Sequence, residues 1–159
     1  MAGRVCVALL AVAALVAIPA ALAEEVTREQ YRDAAEPICK VNAEANKHIL
    51  KGVRSKVRAG QLKAAGRQFS RAAVALKKTL KRIEALPMPV KDEKRLAEWQ
   101  DRVGEEADLL QNVGKALLAE NTHRAEVLSV KLTSNARLTN AIVTPFEFTY
   151  CRLEPNKYA

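Results

Sequence analysis

The sequence predicts an all-α protein: an antiparallel up-down-up-down four-helix bundle closed by one disulfide. Three observations predict it. Alanine, leucine, lysine, arginine and glutamate dominate, while glycine, proline and aromatic residues are scarce, a composition of helices and not of a sandwich or barrel. Apolar residues recur at three- and four-residue spacing in four separated stretches, the pattern of amphipathic helices. Cys39 and Cys151 stand near the two ends of the region those stretches occupy.

Residues 1–23 read as a secretory signal. Arg4 gives a positive start, residues 5–18 form an apolar run, and Pro19 precedes the small-residue site Ala21-Leu22-Ala23, with cleavage expected after Ala23. The rival is an uncleaved membrane anchor, since residues 5–23 are nearly long enough to span a bilayer. The alanine-rich composition, Pro19 and the Ala-x-Ala site stand against it. Cys6 lies inside the apolar run, a poor place for lipid attachment. Residues 24–159, about 136 residues, then form a single helical-bundle domain large enough for its own core. An exported chain folds in an oxidising compartment, where an even cysteine count favours a Cys39–Cys151 bridge over two free thiols or an intermolecular link.

Thr27 followed by Gln30 has the form of a capping box and starts a first helix. Tyr31, Ala35, Ile38, Val41, Ala45, Ile49 and Val53 give its inner face, and Gly60 fits its stop. Pro37 either kinks this helix or sits in the first turn of one restarting near Ala35. A second helix over residues 61–86 carries Leu62, Ala65, Phe69, Ala72, Leu76, Leu80 and Ile83, a bundle seam. Pro87-Met88-Pro89 ends it. A third, over residues 90–120, carries Leu96, Trp99, Val103, Ala107, Leu110, Val113 and Leu117. Thr122 fits as the cap of a fourth, in which Leu128, Leu132, Asn135, Leu138 and Ile142 share a face until Pro145. Short links favour antiparallel neighbours. The start of helix one and the end of helix four then share one end of the bundle, which brings the two cysteines together independently of the redox argument.

The Ile38-Cys39 pair, the hinge "LKRIEALPMP" at residues 80–89 and the lone Cys151 resemble a group of small, uncharacterised secreted or lipid-anchored α-helical proteins of actinobacteria and related bacteria. The resemblance covers most of the region after residue 23. It implies a helical fold and a bacterial, extracytoplasmic address in the periplasm or cell wall, and it supplies no catalytic residues. The lipid-attachment cysteine of the anchored members has no counterpart here.

Chemistry-bearing motifs are sparse. No Cys-x-x-Cys-His, Gly-x-Ser-x-Gly or phosphate-cradling glycine loop occurs, which argues against attached haem, hydrolase chemistry and nucleotide binding. Glu120-x-x-His123 matches a metal-ligand spacing once, at a helix boundary, and Glu44 stands four residues before His48. A metal site needs more convergent ligands, so no metal and no cofactor are expected, and no enzyme. Glu105 and Glu106 are adjacent and point in different directions. Asn135 falls on an apolar face and must be hydrogen-bonded there. The core reads as too rich in alanine and leucine for a large cavity.

Charge is the strongest signal outside the core. Residues 40–82 hold thirteen lysines and arginines against one acid, Glu44, whereas residues 83–126 hold ten acids and six bases. Lys47, Lys51, Arg54 and Arg58 form a stripe on the first helix, and Lys63, Arg67, Arg71, Lys78 and Arg82 form one on the second. A solvated, solubilising surface is one reading of these stripes. The functional reading is a contact face for an anionic envelope component, a peripheral membrane surface or an acidic protein. Export and the shortage of aromatics make nucleic acid an unsuitable partner. The alternative function is a metal- or small-ligand-binding bundle using Glu120, His123 or interior polar groups.

Overall fold

Thr27 opens the first helix by a reciprocal exchange. Its hydroxyl accepts from the Gln30 backbone N–H, and the Gln30 side chain accepts from the Thr27 N–H, so two donors at the helix start are satisfied. This computed structural model describes residues 25–155. It contains four long helices and a short one: α1 Arg28–Ile49, α2 Val53–Arg58, α3 Leu62–Glu84, α4 Glu93–Leu118 and α5 Thr122–Ile142. Single 3-10 turns precede α4 (Val90–Asp92) and follow α5 (Thr144–Phe146), and no strand occurs among the described residues. The signal segment read from the sequence, with Cys6, Pro19 and the site after Ala23, lies outside the described residues. Among those described, no helix is long and apolar enough to cross a membrane.

The first helix is shorter than its apolar spacing predicts. The chain leaves it at Gly52, which takes φ +70, a left-handed conformation that side-chain-bearing residues adopt at a cost. Gln68 of α3 serves the broken end: its Nε2 donates to Ile49 O at 2.7 Å and Lys51 O at 3.0 Å, meeting carbonyls that a helix terminus leaves open. Pro37 interrupts nothing; α1 runs through it without restarting. Val41, assigned by spacing to the inner face, is 59 % exposed. It lies two residues, about 200°, round the helix from Cys39, and Cys39 points inward. Leu138 of α5 is likewise exposed, because Asn135 and Thr139 take the inner positions. Thr139 is accommodated by donating its hydroxyl to Asn135 O at 2.8 Å. Asn121, not Thr122, caps α5, its side chain accepting from Arg124 N at 2.9 Å.

The α3–α4 pair is the closest-packed seam. A Cβ on Gly66 would lie 2.7 Å from Gly114 O, and one on Gly114 would lie 2.9 Å from Gly66 O, so the absence of side chains lets these backbones approach. Ser70 then meets Gln111, Lys77 pairs with Asp108, and Leu80 packs on Gly104, a descending register that fixes the pair antiparallel. The seam residues that the spacing assigns to these two helices are buried, except Leu62, which is half-buried. α1 and α2 pack on the other side of α3, and α5 packs on α4.

The fourth side of the bundle is different. No Cα of α1 lies within 8 Å of a Cα of α5. The chain after α5 crosses this gap as a strap. On the α1 side, the Glu36 carboxylate accepts from Thr149 N at 2.6 Å and Tyr150 N at 3.0 Å, and Cys39 is bonded to Cys151. On the α5 side, Asn140 donates to Leu153 O at 2.9 Å and accepts from Leu153 N at 2.8 Å. Beneath the strap, Phe146 and Phe148 pack with Tyr31 and Trp99 at centroid distances of 5.5 to 6.5 Å. Arg28 clamps the start of α1 to the start of α4 through two bonds to the buried Asp92, at 2.6 and 2.8 Å. The disulfide therefore joins the first helix to the segment after the last through a strap and not through abutting helices. A formed disulfide fits an oxidising, extracytoplasmic location.

The bridge closes a loop with a sequence separation of 112, for which chain entropy gives at most about 4–5 kcal/mol. Replacing Cys39 and Cys151 with serine is expected to lower unfolding free energy in urea by roughly 2–5 kcal/mol. An unchanged denaturation midpoint would show that the strap holds without its covalent tie.

Candidate functional site

Because α1 and α5 stand apart, the interior is not filled. A cavity of about 680 Å³ lies between α1, α3, α4, α5 and the strap. This corrects the expectation that an alanine- and leucine-rich core leaves no large space. That expectation assumed four closed helix seams, and the protein has three. The walls are mostly apolar, from Phe69, Leu76 and Ile83 of α3 and Trp99, Val103 and Leu110 of α4. Cys39, Asn42 and Asn46 of α1, Leu132 of α5 and residues 149–155 of the strap complete the lining, which opens to solvent on one side.

Polar groups enter this apolar wall at a few points. Glu106 lines the cavity and is only 3 % exposed. It follows Val103 by three residues and precedes Leu110 by four, so the helical period places it on the inner stripe of α4. Its Oε2 accepts from Asn135 Nδ2 at 2.8 Å, and the same amide donates to Arg102 O at 3.0 Å. The Nδ2 of the buried asparagine is thus doubly hydrogen-bonded while its Oδ1 has no partner among the described residues, and the carboxyl it serves has no ion pair among them. Burial pushes the Glu106 carboxyl up to about 7; the hydrogen bond from Asn135 opposes the rise and the Glu105 charge adds to it. Two other buried polar atoms on the cavity wall, Asn46 Oδ1 and Trp99 Nε1, have no hydrogen-bond partner among the described residues.

The nine basic residues singled out by charge pattern do not form one face. Lys47 and Lys51 are exposed at the mouth of the cavity, together with Glu44, Arg152 and Glu154. Arg54 and Arg58 of α2 flank a second cleft of about 400 Å³ farther along the same side, floored by Val53, Val57, Phe69, Val113, Leu117 and Ala125. Lys63 is neutralised by Glu120 at 3.0 Å. Arg67, Arg71, Lys78 and Arg82 remain on the outer surface of α3, exposed, with no ion pair among the described residues. At 100° per residue these four fall within an arc of about 60°. The break at Gly52 splits the first stripe, leaving Lys47 and Lys51 before it and Arg54 and Arg58 on α2.

The Glu120-x-x-His123 spacing comes to nothing as a pair on one helix. Glu120 has φ 56 and lies outside α4 and α5, whereas His123 is exposed in the first turn of α5. Among the described residues, no three His, Cys, Asp or Glu side chains gather in a way that would hold a metal ion. The residue that sequence reasoning passed over is Glu106. The signal was present: an acid at a three-four position inside an otherwise apolar stripe.

The chain matches no protein-family model, no curated protein and no solved structure. Its own residues therefore carry the functional argument.

The titration of Glu106 has a definite sign. The folded protein holds this proton up to about pH 7, while the unfolded chain releases it near the ordinary 4.5. Between those values the folded state binds more protons, so its stability falls as pH rises from about 4.5 to 7 and levels off above. The full span corresponds to about 3 kcal/mol. Glu106→Gln is expected to flatten this slope and to raise urea stability at pH 8 by roughly 2–3 kcal/mol relative to the parent. Equal pH slopes in the two proteins would show that Glu106 is not held protonated.

Proposed function

We propose that the protein is an extracytoplasmic, non-catalytic binding module that docks peripherally on an anionic component of the bacterial cell envelope through the outer face of α3. The observation that carries this reading is the set Arg67, Arg71, Lys78 and Arg82. Those four stand exposed on one arc with no acid opposite them, while Lys63 and Lys77, toward α4, are paired with Glu120 and Asp108. Like charges on successive turns repel by a few tenths of a kcal/mol per pair, a cost that binding an anionic surface would offset. Near an anionic lipid surface each such base contributes about 1 kcal/mol.

The disulfide supports an address outside the cytoplasm. Removal of residues 1–23 as a signal, with cleavage after Ala23, belongs to the same proposal. A second reading, a small-ligand-binding bundle, is favoured by the cavity and its unpaired polar wall.

Vesicles with and without phosphatidylglycerol test the first reading. The protein is expected to adsorb to the anionic vesicles at low salt and to be released at high salt, because exposed charges are screened. Replacing Arg67, Arg71, Lys78 and Arg82 with glutamate should weaken adsorption by more than about tenfold, in line with the contribution of each base. Reversing Lys47 and Lys51 should matter much less. Adsorption that survives the fourfold reversal would remove α3 as the contact face.

A further inference from the structure

The outer face of α3 leaves the interior unexplained, and the interior has its own chemistry. Three features coincide there. The cavity of about 680 Å³ falls within the ordinary range of small-molecule sites. Its walls are apolar over most of their extent and include Leu76, Trp99 and Val103. Among the described residues the one buried ionisable group on that wall is Glu106, a carboxyl with no ion pair among them.

Hydrogen bonding adds a direction. Asn135 occupies one oxygen of Glu106, and the other takes no hydrogen bond from the described residues. The free oxygen of Glu106, anionic when ionised, thus belongs to the lining of a space whose walls are mostly apolar. A buried charge is tolerated when it is paired and hydrogen-bonded. The missing complement is a group that donates several hydrogen bonds and carries positive charge, borne on an apolar body. Fatty acids and other anionic amphiphiles are the poorer match, since their charge would meet another carboxyl group. The bases at the mouth, Lys47, Lys51 and Arg152, are exposed and interspersed with Glu44 and Glu154. Solvent screens them far more than it screens Glu106.

We propose that the α1–α5 cavity is a binding site for an apolar primary amine, its ammonium held by Glu106 and its hydrocarbon packed on Leu76, Trp99 and Val103. The strap covers such a ligand without contributing the charge that selects it. The net charge of +8 on the chain works against non-specific uptake of a cation, so measured binding would report on a particular site.

Trp99 is the chain's only tryptophan and lines the cavity, which makes its fluorescence a direct reporter. Decylamine, 1-decanol and decanoate, matched in chain length, are titrated into the oxidised full chain at pH 8, where the amine is protonated. Decylammonium is expected to bind saturably and at least about tenfold more tightly than decanol, the scale of one charge-assisted hydrogen bond. Decanoate should be weakest. In Glu106→Gln, checked as folded by circular dichroism, the amine should lose that advantage while decanol affinity stays within about twofold of the parent, because the apolar contacts are unchanged. The proposal is overturned if no probe shifts Trp99 emission, if decylamine binds no better than decanol or decanoate, or if folded Glu106→Gln binds the amine as tightly as the parent. The comparison of three probes on the unaltered protein needs no variant to fold.

Discussion

A strap of chain, and not a fourth helix seam, closes this bundle. Glu36 and Cys39 hold it on α1, and Asn140 holds it on α5. Without that crossing, α1 would keep its packing on α3 and its clamp from Arg28 to Asp92, yet nothing would link it to α5. The separation of α1 from α5 has one consequence for packing and one for chemistry. It removes the side-chain contacts that fill a four-seam core, leaving a large space in an interior that otherwise packs densely. It also lets a carboxyl on the inner stripe of α4 line that space while one of its oxygens bonds Asn135 of α5.

The α3–α4 pair supplies the rigidity on which this depends. Gly66 and Gly114 bring the two backbones together, and the pairs along the seam lock the register. Two sides of α3 are spoken for by α4 and α1, so its third side is free to carry uncompensated charge. α4 is presented to the cavity with Trp99, Val103, Glu106 and Leu110 in a row. Interior site and exterior basic face are therefore set by the same helix pair, from opposite sides. Neither shares a residue with the other, and each can fail separately.

Much of the fold was legible in the sequence. Strict three-four spacing marked the inner faces of α3 and α4, because both helices are buried along a continuous stripe and follow the period they advertise. Thr27 and Gln30 announced their capping box, and the two cysteines agreed with the topology. The misreadings are local. Gly52 was less conspicuous than Gly60, yet both take positive φ, and the earlier one ends the helix. Val41 and Leu138 are apolar but exposed, since the inner positions of α1 beside the cavity go to Cys39 and Asn46 and the inner positions of α5 go to Asn135 and Thr139. Apolar spacing fails as a guide where the wall of a helix faces a partly polar space. The basic stripes were legible as charge but not as a surface, because the turn at Gly52 and the pairing of Lys63 depend on packing that a linear pattern does not contain. Glu106 was legible only to a reader who asks why an acid sits in an apolar stripe.

The central claim is that α1 and α5 are held apart with an apolar-walled cavity behind the strap. Xenon enters dry, apolar space and scatters anomalously, so diffraction from a xenon-pressurised crystal of the oxidised protein tests it most directly. An anomalous peak in contact with Leu76 and Trp99, with no α1 Cα within 8 Å of α5, is the expected result. A seam closed by direct α1–α5 packing, with no xenon between Trp99 and the strap, would contradict the account.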